Sequence, residues 1–284
     1  MDDTCSQAVT PALIEQLQRH ATQVRRNVLR EARGKGEGYV GQGLGSADML
    51  TALYFHEMRY DMTNPEWPKD EERDRFLLST GHYSIILWAT LTAIGLYPEA
   101  MLATYGADES PFGMSTVADT PGVEITGGSL GMGLSHAIGM ALGARYQKKD
   151  FRVFNFLSDG ELQEGATWEA AMSAAHYKLD NLVALIDVNG VQADGKMAGI
   201  MTIEPIEAKW AAFGWQTTRI DGNDMAALVH ALHDARAKNG KPKVIICDTL
   251  MGKGVPFIEQ RDKGHFVRVE ADEWALALAE LENY

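Results

Sequence analysis

Acidic and amide side chains follow two apolar runs in the middle of the chain. Asp159 comes soon after the run 151–157, and Asn189 follows the run 182–187. A carboxylate and an amide oxygen are ligands that a hard cation such as Mg2+ or Ca2+ prefers. Val191, two residues after Asn189, adds a backbone carbonyl. Three protein oxygens leave an octahedral cation free to bind phosphate oxygens and a water, so the pattern predicts a metal–phosphate site.

A parallel sheet would bring these groups together. Runs of β-branched, aromatic and aliphatic residues predict strands over 151–157, 182–187, 215–220 and 243–248. Apolar periodicity predicts helices between them, over 165–177, 205–213 and 224–238. Strands that alternate with helices indicate an α/β fold, a parallel sheet with helices on both faces. Ligands of such sheets bind beyond the carboxyl ends of the strands.

Gly160 makes the predicted metal–phosphate site more specific. We expect it to begin a helix whose free N–H groups favour an anion, which indicates a metal–diphosphate site. Taken alone, Asp159-Gly160 is more typical of a plain turn. Asn189 at the tip of the neighbouring predicted strand reverses that preference.

The first third of the chain is predicted to be mainly helical. Thr10 and Pro11 are typical of a helix start, and apolar residues from Leu13 to Ala32 continue the helix until Gly34 closes it. The remaining expectations are a glycine-rich loop over 34–45, a helix capped by Ser46, a surface connection over 57–75 and a helix over 84–94. We expect a single domain over 1–284 with a helical N-terminal extension.

Composition excludes several classes of protein. The 284 residues include 26 Lys and Arg against 39 Asp and Glu, a net charge of −13, which disfavours nucleic acid and anionic membranes as partners. The opening MDDTCSQ lacks the apolar core of a signal peptide. Cys5 and Cys247 form no CxxC motif, so we expect reduced thiols in a cytoplasmic protein.

One uncharged stretch has the length of a membrane span. Residues 125–144 carry no charge but include six glycines and several polar side chains. This composition is more typical of a glycine-rich loop that leads into a core helix than of a spanning helix.

The run SDGELQEGATWEAAMSAAHYKLDNLVALIDVNGVQADG, residues 158–195, resembles the thiamine-diphosphate fingerprint in its transketolase form. Ser158 stands where that family has its first glycine, while the metal-binding aspartate and the next glycine are kept. The resemblance implies a thiamine-diphosphate-binding fold with thiamine diphosphate and a divalent cation as cofactors. It implies that the metal ligands are Asp159, Asn189 and Val191, and that these residues with Gly160 and Glu161 contact the cofactor.

Three further segments extend the resemblance from about residue 34 to 266. The segment 74–97 resembles DRFxLSxGH and implies that His82 lies beside the diphosphate. The segment 120–143 resembles TPGVExxxGxLGxGL, which implies that Gly128, Ser129 and Leu130 line the cofactor. The segment 248–266 implies that His265 is a second diphosphate histidine with a catalytic role.

Each of these residues also has an ordinary interpretation. His82 and His265 would otherwise be partly buried histidines without a ligand. Glu164, which the resemblance places in a catalytic proton relay at a subunit interface, would otherwise be a solvated carboxylate at a helix start. Lys253 receives no role. The run GKGEGYVGQGLG, residues 34–45, is only weakly indicative of a dinucleotide site because no strand precedes it.

Two departures from the family concern the substrate. Tyr39 in the stretch 37–41 replaces the histidine of SGHxG, and Met114 stands where a second donor histidine is expected. Methionine accepts hydrogen bonds only weakly and donates none. We expect a site without both imidazoles to bind a polyhydroxylated ketose differently, or to bind a less polar donor.

The resemblance covers only the diphosphate-binding half of a full transketolase. It implies the N-terminal subunit of a split enzyme that transfers a two-carbon unit between sugar-type substrates. The glutamate that activates the cofactor lies in the family's following domain, and fewer than twenty residues follow His265. We therefore expect a C-terminal partner subunit in an α2β2 assembly, with the stretch 127–143 at an interface.

Two alternatives stay open. A subunit of a thiamine-dependent 2-oxo-acid decarboxylase or dehydrogenase would share the metal site, although the segments TPGVE and GKGV favour transketolase. A non-catalytic subunit would keep the fold and bind the cofactor without turnover.

Overall fold

A five-stranded parallel sheet forms the centre of the protein. The computed structural model describes residues 9–261 and 264–282, so Cys5 and the segment MDDTCSQ lie outside the described residues. The strands are β1 Glu37–Gly38, β2 Arg75–Leu78, β3 Val153–Ser158, β4 Leu182–Val188, β5 Val191–Gln192, β6 Gly195–Lys196, β7 Gln216–Asp221, β8 Lys243–Asp248 and β9 Val267–Arg268. The order of the large sheet is β2-β3-β4-β8-β7. The pairs β1–β9 and β5–β6 are short antiparallel ribbons.

Helices cover both faces of this sheet. They are α1 Pro11–Lys35, α2 Val40–Gly45, α3 Ala47–Ala52, α4 Ser84–Ala93, α5 Gly133–Gln147, α6 Gly165–His176, α7 Met197–Ile200, α8 Ile206–Ala212, α9 Met225–Asp234, α10 Pro256–Glu259 and α11 Glu273–Glu280. The predicted α/β class, the four predicted strands and the helices between them are confirmed to within a few residues.

Alternate residues of the strands supply two separate apolar layers. Phe154 and Phe156 of β3 face the layer built with α1, α4 and α9, whereas Leu157 of the same strand faces the layer built with α5, α6 and α8. Side chains of a strand point alternately to its two faces, so a strand buried on both sides is mostly apolar. The predicted sheet with helices on both faces agrees with these mostly apolar strands.

The N-terminal helix ends two residues later than predicted. Thr10 caps it through a hydrogen bond from Leu13 N–H, as predicted, but α1 runs to Lys35 and ends at Gly36. Gly36 adopts a φ of +82°, the left-handed conformation that favours glycine at a helix end. Gly34 has another role, because a Cβ there would lie 2.7 Å from the carbonyl oxygen of Ala103.

The stretch 34–45 is largely helical, contrary to the predicted loop. All six residues of α2 are buried, and a Cβ added to Gly41 would lie 2.6 Å from the Met251 side chain. Its glycines therefore permit close packing against the chain after β8. Ser46 does not cap the following helix as predicted, because its hydroxyl donates to the carbonyl of Gln42.

Two further predictions, for the stretch 57–75 and for a helix beginning at Gly160, need correction. The stretch 57–75 contains the buried Trp67, whose ring packs 4.7 Å from that of Tyr60, and it ends in the unpredicted edge strand β2. The predicted helix from Gly160 is only a short 3-10 turn, and α6 begins at Gly165, because the backbone of Glu164 is extended.

The uncharged stretch 125–144 forms a loop followed by α5, as predicted. Across the described parts of the chain, every helix is too short or too polar to cross a bilayer.

Candidate functional site

Asp159 joins the ends of two neighbouring strands. It follows β3, and its carboxylate accepts hydrogen bonds from the N–H groups of Gly160 and Gly190, both at 2.7 Å. Gly190 lies in the turn after β4, which pairs with β3 in parallel. The side chain is only 2% exposed. The predicted meeting of the two strand ends is therefore observed, although the Gly160 N–H is already bonded rather than free.

Asn189 is held in one orientation by buried neighbours. Its amide nitrogen donates to Asp187 at 2.8 Å and to the hydroxyl oxygen of Tyr83 at 2.9 Å. Its amide oxygen accepts from Val191 N–H at 3.0 Å. Asp187, which also accepts from the Thr249 hydroxyl, is fully buried. Sequence reasoning missed Asp187, Tyr83 and Thr249, although the first two stand beside residues that it singled out.

A cavity of about 210 Å³ opens at this edge of the sheet. Its lining residues are His82, Tyr83, Leu130, Ser158, Asp159, Gly160, Gln163, Glu164, Val191, Gln192, Ala193, Asp194 and His265. The part of the lining that the structure describes includes three carboxylic acids, Asp159, Glu164 and Asp194, but neither Lys nor Arg. A diphosphate would therefore meet only negative charge here unless a cation accompanied it.

The donor set fits a hard divalent cation. Burial, and secondly the negative charge of Asp187, raise the pKa of Asp159 to about 7. A buried carboxylate in such surroundings gains stability when a cation arrives. Within the described ranges, no group of three or more His, Cys, Asp or Glu could hold a metal. The set of Asp159, Asn189 and the Val191 carbonyl contains only one such residue and stays a prediction.

Two histidines face one another across the cavity. The ring centroids of His82 and His265 lie 5.5 Å apart, and Tyr39 lies 4.8 Å and 5.6 Å from them. Burial, and secondly His265, lower the pKa of His82 to about 4, and burial also lowers the pKa of His265. Both rings are therefore neutral at pH 7 and each can donate one N–H.

Gln42 selects the tautomer of His265. Its amide nitrogen donates to the His265 carbonyl at 2.7 Å and lies 3.0 Å from Nδ1 of the same residue. Since a carbonyl oxygen only accepts, the nitrogen must face His265, and its second hydrogen points to Nδ1. The ring proton then resides on Nε2. Sequence analysis assigned Gln42 no role.

A serine and a glutamate hold the loop that precedes α5. Glu161 is fully buried and accepts from the Ser79 hydroxyl and from Gly131 N–H at 2.7 Å. Ser79 accepts from Gly133 N–H at 3.0 Å. Glu161 does not line the cavity, so these bonds support a positioning function, while its predicted cofactor contact stays a prediction.

The remaining predicted residues lie at different distances from the cavity. Leu130 lines it, whereas Gly128 and Ser129 precede Leu130 on the same loop and are not among the described lining residues. Glu164 is exposed at the rim, with its side chain against Gly131. Met114 is half-buried, packs against the core, and is not part of the described lining.

We expect the metal-free protein to lose stability as pH rises from about 4 to 7. In this window the unfolded chain ionises Asp159 while the native state keeps it protonated, because its native pKa is raised. The native state then binds more protons, so the free energy of unfolding falls with pH, and Mg2+ binding releases a proton. Urea unfolding at pH 5 and 8 measures this effect, with Asp159→Asn as the control. Equal pH dependence in both proteins would contradict the assignment.

The chain matches the family described as "Transketolase, thiamine diphosphate binding domain" over residues 17–281. It belongs to the transketolase family. The matched region contains every residue of the cavity, so the predicted family is confirmed together with its diphosphate-binding fold.

Relatives of similar length support this membership. A transketolase family protein of Sinorhizobium fredii is 53% identical, with 92% of this chain and 94% of that protein covered. The 6-deoxy-6-sulfo-D-fructose transketolase subunit of a Clostridium species is 39% identical, with 94% and 96% covered. One of the apulose-4-phosphate transketolase subunits of Phocaeicola vulgatus is 37% identical, with 86% of each chain covered.

Solved transketolases share the fold over a part of their length. The enzyme of Campylobacter jejuni superposes with a TM-score of 0.86 at 29% identity, covering 95% of this chain and 43% of that one. The transketolase of Leishmania mexicana gives a TM-score of 0.84 at 29% identity, covering 94% and 41%. This chain thus spans about two fifths of the solved chains that it matches.

Proposed function

We propose that this chain is the diphosphate-binding subunit of a two-subunit transketolase-like enzyme. The enzyme transfers a two-carbon ketol unit from a sugar-type donor to an aldehyde acceptor, in the cytoplasm. One observation carries the proposal: Asp159 lines one cavity together with two neutral histidines, in a chain of the transketolase family. Asn189 lines the adjoining cavity, which shares Asp159 and Val191 with the first.

Different residues at and next to the cavity would hold different parts of the cofactor. Asp159, Asn189 and the Val191 carbonyl would bind Mg2+ or Ca2+, and the cation would neutralise the diphosphate. His82 and His265 would donate to the diphosphate oxygens, with Gln42 keeping the His265 proton on Nε2. Thiamine diphosphate, when bound, supplies the nucleophilic carbon and the electron sink for C–C bond cleavage.

Exposed residues near the cavity support a partner subunit. Glu164 lines the cavity and is exposed. Ser129 is exposed on the loop that carries Leu130, and Met132 of the same loop is 44% exposed. We propose that a C-terminal, pyrimidine-binding subunit covers this edge in an α2β2 assembly and that Glu164 contributes to proton transfer between subunits.

The donor is proposed to differ from that of ordinary transketolases. Tyr39 contacts both histidines and, on its outer side, Phe266, whose ring lies 5.0 Å away. By the resemblance, Tyr39 stands at the position of a donor histidine. A less hydroxylated donor would fit better than a ketose with many hydroxyls, since the ring faces of Tyr39 and Phe266 offer no strong hydrogen bond and only the Tyr39 hydroxyl can form one.

Restoring both histidines should improve the use of hydroxyketose phosphates. With the partner present, the double variant Tyr39→His, Met114→His is expected to raise kcat/KM for xylulose 5-phosphate about tenfold, because each imidazole adds a hydrogen bond. The double variant Tyr39→Phe, Met114→Leu is the matched control, since it changes shape without adding donors. Equal kcat/KM in the two variants would show that these positions do not face the donor.

Product analysis tests the reaction class. We expect the complex of this chain and its partner to form a ketol-transfer product from a ketose phosphate and an aldehyde, and to leave pyruvate unchanged. Release of CO2 from pyruvate would instead identify a 2-oxo-acid enzyme. No turnover of either substrate, despite cofactor binding, would identify a non-catalytic subunit.

A further inference from the structure

Tyr83 connects the histidine side of the cavity to the predicted cation ligand. It directly follows His82 in a short turn before α4 and is 1% exposed. Its ring packs against His82, with centroids 5.0 Å apart, and against Phe156 at 5.5 Å. Its hydroxyl donates to Asp187 at 2.7 Å and accepts from the amide nitrogen of Asn189 at 2.9 Å.

These bonds determine which end of the Asn189 amide faces Asp187 and which end faces Val191. Asp187 accepts from both Tyr83 and the Asn189 nitrogen through the same carboxylate oxygen, so this oxygen carries no hydrogen toward Asn189. If the amide turned over, its oxygen would face that carboxylate oxygen without a hydrogen between them. The nitrogen is therefore kept on the Asp187 side, and the amide oxygen is kept on the side of Val191.

Asp187, which accepts the hydrogen bond from Tyr83, is itself held in place by its second carboxylate oxygen. Thr249, in the chain after β8, donates its hydroxyl to the second carboxylate oxygen of Asp187. Asp187 lies in β4, paired with both β3 and β8, and is 1% exposed. The Tyr83 hydroxyl thus donates to a rigid acceptor, Asp187. The same hydroxyl is a second acceptor for the Asn189 nitrogen, and this hydrogen bond would be lost if the amide turned over.

We propose that Tyr83 is a positioning residue that holds the amide oxygen of Asn189 ready for a divalent cation. Its ring contact with His82 places the cation ligand and the diphosphate histidine against one rigid side chain. This inference rests on the proposed function, because it takes Asn189 to be a cation ligand. Preorganised ligands bind a metal more tightly than ligands that must first reorient.

The variant Tyr83→Phe tests the role of the hydroxyl alone. It keeps the ring contacts and removes both hydrogen bonds. We expect the dissociation constant for Mg2+, measured by calorimetric titration with saturating thiamine diphosphate, to rise about tenfold. Tyr60→Phe is the matched control, since it removes a tyrosine hydroxyl that donates to the Tyr54 carbonyl at 2.6 Å, away from the cavity. The control should keep the wild-type Mg2+ affinity.

The outcomes separate this inference from the proposed function. A wild-type chain that binds no Mg2+ with thiamine diphosphate would overturn the proposed function. Wild-type binding with equal affinity in Tyr83→Phe and Tyr60→Phe would overturn the positioning role and leave the function intact. If Tyr83→Phe does not fold, Thr249→Val is used in its place, because this variant removes the hydrogen bond from the Thr249 hydroxyl to Asp187. An unchanged Mg2+ affinity in Thr249→Val would then overturn the inference.

Discussion

Replacing Asp159 by alanine will weaken the binding of thiamine diphosphate with Mg2+ by about a hundredfold or more. Removal of one partner from a buried group of charges costs several kcal/mol, and ~3 kcal/mol corresponds to about two powers of ten in affinity. No buried basic side chain compensates in the described lining, because the histidine cavity contains neither Lys nor Arg and Lys196 of the adjoining cavity is exposed. Calorimetric titration of the purified chain measures the loss.

The fold should survive this substitution. Asp159 is buried with a raised pKa, so its carboxylate is costly in the metal-free state, and alanine removes that cost together with two hydrogen bonds to Gly160 and Gly190. Asp194→Ala is the matched control, since it removes a carboxylate from the exposed rim of the same cavity. Equal losses of affinity in the two variants would indicate a general charge effect and refute the ligand assignment.

The second large effect is the dependence of turnover on a partner chain. We expect this chain alone to show no C–C bond transfer with thiamine diphosphate and Mg2+, and to gain full activity when the partner is added. Glu164 of the cavity lining and Ser129 of the nearby loop are exposed. The resembled family supplies the activating glutamate from a following domain, and this chain spans only 43% of a solved transketolase.

Reconstitution with purified chains checks this expectation. The candidate partner is the product of the neighbouring reading frame, assayed alone, with the wild-type chain and with the Asp159→Ala chain. Only the wild-type pair should be active. Turnover by the isolated wild-type chain would refute the two-subunit proposal.

Strands buried on both faces were the most predictable part of the fold. Val153–Ser158 and Leu182–Val188 are mostly apolar, with Asn155, Ser158 and Asp187 as the polar exceptions, and such runs flanked by helical periodicity indicate a parallel sheet. The edge strand Arg75–Leu78 was missed, because four residues beginning with an arginine carry little pattern. The helix Val40–Gly45 was missed because glycine disfavours helices, and the close packing of its glycines against Met251, Val28 and Leu250 is visible only in the structure.

The site residues likewise fall into two groups, those that the local sequence indicates and those whose contacts join distant parts of the chain. Asp159 and Asn189 were predicted to meet because parallel neighbours bring their carboxyl ends to one edge. The contact of Tyr83 with Asp187 joins residues 104 positions apart, and that of Gln42 with His265 joins residues 223 apart. No local pattern encodes such pairings, so these positioning residues became visible only in the structure.

Crystals of the chain grown with thiamine diphosphate and Mn2+ in place of Mg2+ would test the central claim most directly. The anomalous signal of Mn2+ locates the cation independently of the surrounding density. We predict a single peak within coordination distance of Asp159, the Asn189 amide oxygen and the Val191 carbonyl, with the diphosphate between that peak and His82. A cation bound elsewhere, or a diphosphate outside this cavity, would contradict the account.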